Sequence, residues 1–508
     1  MTYSLIPLKA LGLAAALTLA IAGPVLAGKK DDTLHVVWRV SVPNLDPQQN
    51  NLREGVVIGQ LIWDTLVYKN PDTGAFEPLL AESWTWIDNT TIEFKLKHGV
   101  KFHNGDDFSA DDVVYTLNYV ADPASKIAVP GNGSWIDKAE KIDDFTVRVK
   151  LKKPFPAAME YFAVPLLIYP AKYHAKVGPE GMGKAPVGTG PYKAVLVDGV
   201  KRYLLERNEN GVPNSPKGRA KIGKIEIRSV TDTAAEMVEL LSGRADWIWK
   251  FNSDQFDKLN AMPHIAASRE ESMRIDFLLL DAIAPGDNPL AKQQVRQAIN
   301  YAIDREKFVK YLVQGNARVI DAPCYPGQFG CDTSAAVHYG YDPAKARALL
   351  AEAGYPNGFP IQMVGFRSAQ WTAAIQNDLA AIGIKAQVSM VEGAVLVEKT
   401  KKGEAPIAHW DWGSLSVNDV SAVLPNFFGD GGYDRSQDKE VKALLDKAGT
   451  SVDQAERKTL YAQAIKLITE RAYSVPLHSF TINYAYNREL DFKAYPDELP
   501  RFYQYGWK

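Results

Sequence analysis

The side chains that most often carry out catalysis or hold metals are present in this 508-residue chain, but they are not spaced like a known reacting group. The eight histidines are His35, His98, His103, His174, His264, His338, His409 and His478. None occur four residues apart on a helical pattern, the spacing that lets two imidazoles share one metal ion. No GxSxG nucleophile turn is present. Distant residues can still converge, so a secreted hydrolase stays open, but the sequence favours binding over catalysis.

A glycine-rich segment from Gly178 to Ala185 imitates a phosphate-binding loop. Its final residue, Ala185, stands where such a loop needs a hydroxyl to reach magnesium. The turn from Gly188 to Gly190 lacks the third glycine of a dinucleotide-binding turn and leads into Pro191. We therefore expect no nucleotide and no other cofactor.

Residues 1–27 have the pattern of a secretory signal peptide. Lys9 precedes an apolar run from Ala10 to Ala22, and Val25 to Ala27 form a small-x-small cleavage site. A Gly-Pro pair ends the apolar run before the roughly 20 residues that a membrane-spanning helix needs. No cysteine lies near the cleavage site, so the mature protein is expected to be free in the periplasm.

The two cysteines, Cys324 and Cys331, are close together in the sequence. In an exported chain, paired thiols are oxidised, so we expect a disulfide that closes a small loop. Pro326 and Gly327 favour the turn that such a short bridge requires. Two thiolates without a histidine between them do not make a tetrahedral zinc site, and no metal is predicted here.

The charge balance argues against nucleic acid as a partner. The chain has 58 Lys and Arg against 60 Asp and Glu, a formal net charge of −2, and loss of Lys9 with the signal peptide makes it one unit more negative. Phosphate-binding surfaces need a basic excess or a basic stripe, and neither is present. The chain length is typical of about three domains or subdomains.

A strand, a turn and a capped helix follow one another between Leu80 and Val120. Ile92, Phe94 and Leu96 alternate with charged residues, which predicts a half-buried strand. Ser109, with Asp112 three residues later, is a capping box that opens an amphipathic helix. Further along, the apolar residues from Arg274 to Leu280 predict a buried strand.

The literal sequence of this segment resembles the signature of one family, the peptide-type (family 5) solute-binding proteins of bacterial ABC importers. The matching positions are Lys97, Gly99, Val100, Phe102, Asn104, Gly105 and Phe108 through Val113. Four more strings resemble the same family: Leu45 to Pro47, Glu77 to Trp84, Pro186 to Tyr192 and Val295 to Arg305. The resemblance covers nearly the whole mature chain.

The resemblance implies an α/β fold, a two-lobed periplasmic binding protein of type II with mixed sheets flanked by helices. Lobe I is expected to comprise residues 28–278 and 482–508, and lobe II residues 279–481. An additional subdomain is expected to be inserted in lobe I at about residues 59–188. Alternating strands and helices along the chain agree with α/β lobes.

The family resemblance also implies a ligand loop in the stretch from His409 to Asp419. In the peptide binders of this family, an Asp a few residues after a Trp pairs with the α-ammonium of the peptide. Here Gly413 occupies that position, and the nearest carboxylates, Asp411 and Asp419, become the candidate anchors for an amine. Trp410 and Trp412 are candidates for packing against a ring-bearing or apolar ligand.

Other ligand residues are implied by their positions in the resemblance. Arg367 stands near an Arg that meets the ligand carboxylate in some dipeptide binders, and a guanidinium fork suits a carboxylate. Ser41 and Val42 lie on the loop after the first strand, which is expected to border the ligand. For a metal or metal-chelate ligand, His409 and His478 are the only candidate histidines.

The resulting interpretation is a periplasmic binding protein that captures a small solute between its lobes by hinge closure and delivers it to a membrane permease. A peptide or peptide-like solute is the leading ligand. An opine, an oligosaccharide and a metal chelate are the alternatives. We expect a monomer without catalytic activity and without a bound metal.

Overall fold

The computed structural model describes residues 28–508, so the predicted signal peptide lies outside the described residues. In chain order the strands are β1 Thr33–Trp38, β2 Val67–Lys69, β3 Phe76–Pro78, β4 Ala81–Asp88, β5 Thr91–Leu96, β6 Ile136–Asp143, β7 Thr146–Leu151, β8 Tyr192–Asp198, β9 Arg202–Arg207, β10 Lys224–Ser229, β11 Trp247–Trp249, β12 Ile265–Leu280, β13 Pro360–Gly365, β14 Lys385–Met390, β15 Ile407–Trp412 and β16 Ser474–Asn487. The α-helices are α1 Arg53–Ile62, α2 Ala110–Ala121, α3 Ala158–Ala163, α4 Ala171–Lys184, α5 Thr233–Leu241, α6 Phe256–Asn260, α7 Gln293–Ala302, α8 Arg305–Phe308, α9 Pro343–Glu352, α10 Ala369–Ala381, α11 Gly393–Lys402, α12 Leu424–Phe428, α13 Lys439–Thr450 and α14 Gln454–Glu470. Within residues 28–508, no helix combines the length and apolar character needed to cross a membrane.

Ten of the strands form one mixed sheet, in the order β14-β13-β15-β12-β16-β11-β1-β10-β9-β8. β1 runs parallel to β10 and β11, and β13 runs parallel to β14 and β15. The other neighbouring pairs are antiparallel. Mixed sheets flanked by helices confirm the predicted α/β fold class.

The long strands β12 and β16 join the two halves of this sheet. Residues 265–272 of β12 pair with residues 480–487 of β16, next to β11, whereas residues 275–280 pair with 474–479 and with β15. The register shifts between Ser272 and Ile275 and again after Asp276, which marks the passage between the halves. The predicted lobe limits, at 278/279 and 481/482, fall inside these two shared strands.

The second half of β12 is covered on both faces, which explains its apolar sequence. Phe277 and Leu279 belong to one core cluster, together with residues of α12, α13 and α14. Leu278 and Leu280 point the other way, into a cluster formed with α7, α9 and α10. A strand buried on both faces reads as a continuous apolar run rather than an alternation, as predicted for Arg274 to Leu280.

A separate four-stranded sheet, in the order β4-β5-β7-β6, lies within the region predicted as an inserted subdomain. Its helix α2 begins at the predicted capping box, where the Ser109 N–H donates to the Asp112 carboxylate at 2.9 Å. After α4 the chain returns through β8 to the edge of the ten-stranded sheet. The strand-turn-helix order predicted for residues 80–120 is therefore confirmed.

The glycine-rich segment from Gly178 to Lys184 lies in α4, whose backbone is interrupted only at Gly178, with φ of +66°. Inside a helix the backbone N–H groups donate to carbonyls of the same helix. The segment is therefore helical after a kink at Gly178, and the absence of a nucleotide stays a prediction.

Candidate ligand site between the lobes

β15 places the predicted tryptophans on one face and His409 and Asp411 on the other, because side chains alternate along a strand. Trp410 Nε1 donates to Thr400 Oγ1 at 3.2 Å, and Trp412 Nε1 donates to the Ala422 carbonyl at 2.7 Å. Both indoles meet the ring of Phe427 edge-on, at centroid distances of 5.5 and 5.4 Å. The two tryptophans therefore pack inside lobe II, behind the strand.

Asp411 lies between two guanidinium groups. Arg274, at the start of the apolar part of β12, donates from Nη1 to Asp411 Oδ1. Arg367, which follows β13, donates from Nε to Oδ2 and from Nη2 to Oδ1, the latter at 3.1 Å. Both carboxylate oxygens are occupied, so Asp411 holds the two arginines side by side.

The ion network continues into lobe I through Glu498. One carboxylate oxygen of Glu498 lies 3.3 Å from Arg274 Nε, and the other lies 3.6 Å from Arg53 Nε. Beside them, Lys250 Nζ lies 3.3 Å from Glu54 Oε1. Positive and negative side chains thus alternate from Glu54 to Asp411 and connect the two lobes.

The network shifts the pKa of its members in opposite directions. Burial raises the pKa of the Glu498 carboxyl, but the surrounding guanidinium and ammonium groups outweigh burial and hold this pKa at about 2. Burial lowers the pKa of Lys250, and attraction to Glu54 and Glu498 does not restore it. Burial likewise lowers the pKa of Arg53. At Arg274, by contrast, Glu498 and Asp411 outweigh burial and raise the pKa.

Gly413 opens a strained loop at the end of β15. The next three residues, Ser414, Leu415 and Ser416, all have left-handed backbones, with φ of +49°, +50° and +65°. Such a backbone costs roughly 1–2 kcal/mol per non-glycine residue, so neighbouring contacts must hold it. Ser416 supplies them, because its hydroxyl accepts from Arg53 Nη1 and donates to the Asp497 carbonyl at 2.7 Å.

Asp419, the other candidate amine anchor, is engaged within lobe II. Arg457 Nη2 donates to both of its carboxylate oxygens, at 2.8 and 3.0 Å. Asp419 Oδ1 also accepts from the Ser421 N–H at 2.9 Å, which caps the following turn. Asp419 therefore anchors the far end of the loop.

The predicted disulfide between Cys324 and Cys331 is present, with an S–S distance of 2.05 Å. The loop that it closes braces the segment containing Asp419. Gln328 Nε2 donates to the Val417 carbonyl at 3.0 Å, and the Phe329 N–H donates to the Asn418 carbonyl at 3.2 Å. The bridge therefore stiffens the wall of the site rather than contacting the charged network.

Ser41 and Val42 follow β1, on the lobe I side. Val42 is buried in the core, and its carbonyl accepts from the Tyr203 hydroxyl at 2.7 Å, whereas Ser41 is half-buried. Two residues before Ser41, Arg39 Nη2 donates to the Lys250 carbonyl at 2.6 Å. This contact helps to hold Lys250, whose φ of +59° is unusual for a residue with a side chain.

The two candidate histidines share a carboxylate below the site. His409 Nε2 and His478 Nε2 lie 2.9 and 3.1 Å from Asp276 Oδ2, and all three side chains are buried. Burial raises the pKa of Asp276, but the two imidazoles outweigh burial and lower it to about 2. Across residues 28–508, no cluster of three or more His, Cys, Asp or Glu is arranged to hold a metal ion.

Two cavities lie where lobe II faces the rest of the molecule. One, of about 330 Å³, is lined by Tyr68 and Lys69 on one side and by Ser416 and Asn418 on the other. The second, of about 760 Å³, also touches Lys69 and Asn418 and extends to the Trp86 ring. Spaces of this size match small-molecule sites, which favour domain interfaces.

The sequence-based interpretation missed Glu54, the partner of Lys250, and four further members of the network: Arg53, Lys250, Arg274 and Glu498. Arg274 carried a usable signal, because an arginine at the head of an apolar strand must find a carboxylate when that strand is buried. The others come from distant parts of the chain and carried no such signal.

The chain was compared with families and individual proteins. Residues 75–435 match the family described as "Bacterial extracellular solute-binding proteins, family 5 Middle". Glutathione-binding protein GsiB of Pectobacterium atrosepticum is 30% identical over 519 residues, which cover 97% of each chain. Heme-binding protein A of Haemophilus influenzae is 28% identical over 456 residues, 82% of this chain and 81% of the relative.

A solved structure gives the same result at the level of the fold. The periplasmic binding protein DppA of Helicobacter pylori, associated with an ABC transporter and in complex with the peptide STSA, superposes with a TM-score of 0.79. It is 25% identical, and the match covers 94% of this chain and 98% of that protein. On these grounds the chain belongs to the family 5 extracellular solute-binding proteins of bacteria, with their two-lobed periplasmic binding protein fold.

Proposed function

We propose that this protein is the periplasmic component of an ABC importer that captures a peptide-like solute between its lobes and passes it to a membrane permease. The relatives named for glutathione and for a bound peptide support this class of solute. The lobe limits predicted above, residues 28–278 with 482–508 and residues 279–481, are retained in the proposal.

The observation that carries this proposal is the charged network that joins the lobes. Arg53, Lys250 and Glu498 approach from lobe I, and Arg367 and Asp411 approach from lobe II. Side chains of this kind suit a solute with charged termini and amides, because charge-assisted hydrogen bonds both hold and orient it. Closure of the lobes would exclude water from these contacts.

The predicted ligand residues take different roles in the proposal. Arg367 and Gly413 border the solute directly, and Asp411 positions Arg367 from beneath. Ser41 faces the proposed site from lobe I, and Val42 supports it from the core behind. The other three predicted residues stabilise the lobe II side of the site from within that lobe. They are Trp410, Trp412 and Asp419.

We also propose that the protein binds its solute without transforming it, as a monomer in the periplasm and without nucleic acid. The calorimetric test uses mature protein, residues 28–508, with di- and tripeptides, glutathione, opines, oligosaccharides and metal chelates. One-to-one binding of a peptide-like solute, recovered chemically unchanged, is expected. Binding restricted to sugars or chelates, or sustained turnover of a bound compound, would contradict the proposal.

A further inference from the structure

Asp246 is a buried carboxylate with which no lysine or arginine of residues 28–508 pairs. It directly precedes β11, and its side chain is 2% exposed. Its backbone is fixed on both sides, because its N–H donates to the His35 carbonyl at 2.8 Å and its carbonyl accepts from the Asn487 N–H at 2.7 Å. The carboxylate is thus held inside the fold, where a negative charge is costly and calls for a cation.

The groups that reach this carboxylate are backbone, amide and imidazole nitrogens. Asp246 Oδ2 accepts from the His35 N–H at 3.0 Å and lies 3.0 Å from His35 Nδ1. Asp246 Oδ1 accepts from Asn487 Nδ2 at 3.0 Å. Of these donors only the imidazole can carry a charge, so compensation of Asp246 by the side chains of residues 28–508 depends on His35.

His35 is a weak counter-ion for this purpose. Burial lowers its pKa, but Asp246 and Glu226 outweigh burial and raise it. Glu226 Oε2 lies 3.8 Å from His35 Nε2, so the imidazole is shared between two carboxylates. A histidine also loses its charge within the neutral pH range. A cation that keeps its charge would therefore fit beside Asp246.

Gly28 lies against the same carboxylate. It is buried, and a Cβ built on it would lie 2.6 Å from Asp246 Oδ1 and 2.6 Å from the Trp507 ring. A backbone nitrogen lies about 2.5 Å from the Cβ position of its own residue, so the Gly28 nitrogen is within about 5 Å of Asp246 Oδ1. The φ of +102° also requires glycine here. The Gly28 carbonyl accepts from the Thr33 N–H at 3.1 Å, which ties the segment to β1.

The predicted signal-peptide cleavage site lies directly before Gly28. Hydrolysis of the Ala27–Gly28 peptide bond takes up one water and leaves a carboxylate on Ala27 and an amine on Gly28. An α-amino group has a pKa of about 7.7–8.0, so most of it is protonated at neutral pH, and a neighbouring carboxylate favours the protonated form. Cleavage therefore creates a cation close to Asp246.

We propose that Asp246 is the docking site for the amino terminus that signal-peptide removal produces, where the Gly28 ammonium pairs with the buried carboxylate. The pair fastens the start of the mature chain to β11. Lys29 makes a second contact with the C-terminal segment, because its Nζ donates to the Lys508 carbonyl at 2.5 Å. In the uncleaved precursor the Gly28 nitrogen is an uncharged amide, so the fold gains this ion pair only after export.

The first test compares proteins that differ only at the amino terminus. Intact mass of protein exported to the periplasm is expected to show a chain that begins at Gly28. This chain is compared with one that keeps Ala27 and with one whose Gly28 amine is converted to an uncharged aldehyde by transamination with pyridoxal phosphate. Both altered forms should melt about 3 °C or more below the mature chain, because neither has an ammonium at Gly28.

A cycle of variants assigns this loss to Asp246. In Asp246→Asn the three termini should melt within about 1 °C of one another, since the amide has no charge to pair with. Asp491→Asn is the matched control. Asp491 lies in the C-terminal segment, 64% exposed beside Lys221, and its variant should keep the full difference between the termini.

His35 provides a measurement that needs no substitution in the protein studied. An ammonium beside Asp246 disfavours protonation of the neighbouring imidazole. The pKa of His35, followed by NMR of its ring protons, should therefore be higher in the transaminated protein than in the mature protein. The signals are assigned by comparison with His35→Gln.

Four results would overturn the pairing. They are a periplasmic chain that begins at another residue, equal melting temperatures for the three termini, the same loss in Asp246→Asn as in wild type, and an unchanged His35 pKa after transamination. Neither Gly28 nor Asp246 lines the cavities between the lobes. Each of these results would therefore leave the proposed function in place.

Discussion

Asp411 shows how the role of a carboxylate depends on its immediate neighbours. The sequence suggested it as an anchor for a ligand amine, and that role stays a prediction. In the structure, both of its oxygens accept from Arg274 and Arg367. The Asp411 side chain is only 2% exposed beneath these guanidinium groups, so we favour a positioning role.

The two roles of Asp411 can be separated with Asp411→Asn. Loss of the ion pairs should weaken binding of a peptide acid by about 1–3 kcal/mol, equally for its free-amine and N-acetyl forms. Calorimetry with both forms measures this. Asp446→Asn, a change to an exposed helix pair, is the control. A wild-type preference for the free amine that disappears in Asp411→Asn would instead establish the amine anchor.

Glu236 is a second residue whose surroundings have a testable effect, in this case on its pKa. It lies buried on α5, where burial raises its pKa to about 7 although Arg39 acts in the opposite direction. The folded protein therefore binds this proton more tightly than the unfolded chain does. Its contribution to stability is present below pH 4.5 and declines as pH rises to about 7.

We expect Glu236→Gln to remove this decline and to stabilise the protein at pH 8 by up to about 3 kcal/mol relative to wild type. Urea unfolding from pH 4.5 to 8 would measure it. The exposed Glu180→Gln should keep the wild-type slope. Parallel slopes for wild type and Glu236→Gln would show that the carboxyl is already ionised at low pH.

At the scale of elements, local patterns predicted the helix α2 but only part of the central strand β12. The Ser109 cap and the apolar spacing after it fixed α2, because both signals are local. β12 begins at Ile265, nine residues before the predicted start at Arg274. Residues 265–272 are mainly polar and become a strand by pairing with β16, a contact made across more than 200 residues.

The residues of the candidate site also fall into those that the sequence predicted and those that it missed. Asp411 and Gly413 were found because their loop resembles the ligand loop of the family, and Arg367 was found from its own position in that resemblance. Lys250 and Glu498 were missed, because nothing near them in sequence indicates their partners, which come from distant parts of the chain. Long-range charge pairing depends on the tertiary fold and leaves no periodic trace in the chain.

The disulfide loop offers a prediction at the element scale. Changing Cys324 and Cys331 together to Ser should lower the free energy of unfolding by about 2–3 kcal/mol, as expected for a short closed loop. The loop also braces Val417 through Gln328, so ligand affinity should fall as well. Urea unfolding and calorimetry would show both effects. An unchanged affinity would mean that the loop supports stability alone.

At the scale of the whole molecule, the lobes share the strands β12 and β16 and the charged network, and polar contacts join their facing loops. Ser416 bonds to Arg53 and to the Asp497 carbonyl, and the Asn418 N–H donates to Glu160 at 3.3 Å. Polar contacts between facing loops can break and form again as two lobes separate and close around a ligand.

We expect small-angle X-ray scattering to show a smaller radius of gyration with a bound solute than without it, because closure brings the lobes together. Ser416→Ala removes contacts of the closed form and should speed solute dissociation more than it slows association. Ser451→Ala, between α13 and α14, where the hydroxyl donates to Glu456 within lobe II, is the control. Identical scattering with and without a saturating solute would refute closure.

The most direct test of solute capture between the lobes is calorimetry of mature protein with a peptide acid, for wild type and for the Arg367→Gln/Lys250→Gln double variant. We expect one-to-one binding by wild type, a loss of about 30-fold or more in the double variant, and wild-type affinity in the control Arg202→Gln. Arg202 pairs with Glu226 on the edge hairpin and is 47% exposed, close to the 48% of Arg367. Equal affinity in all three proteins would place the solute elsewhere and contradict capture at this site.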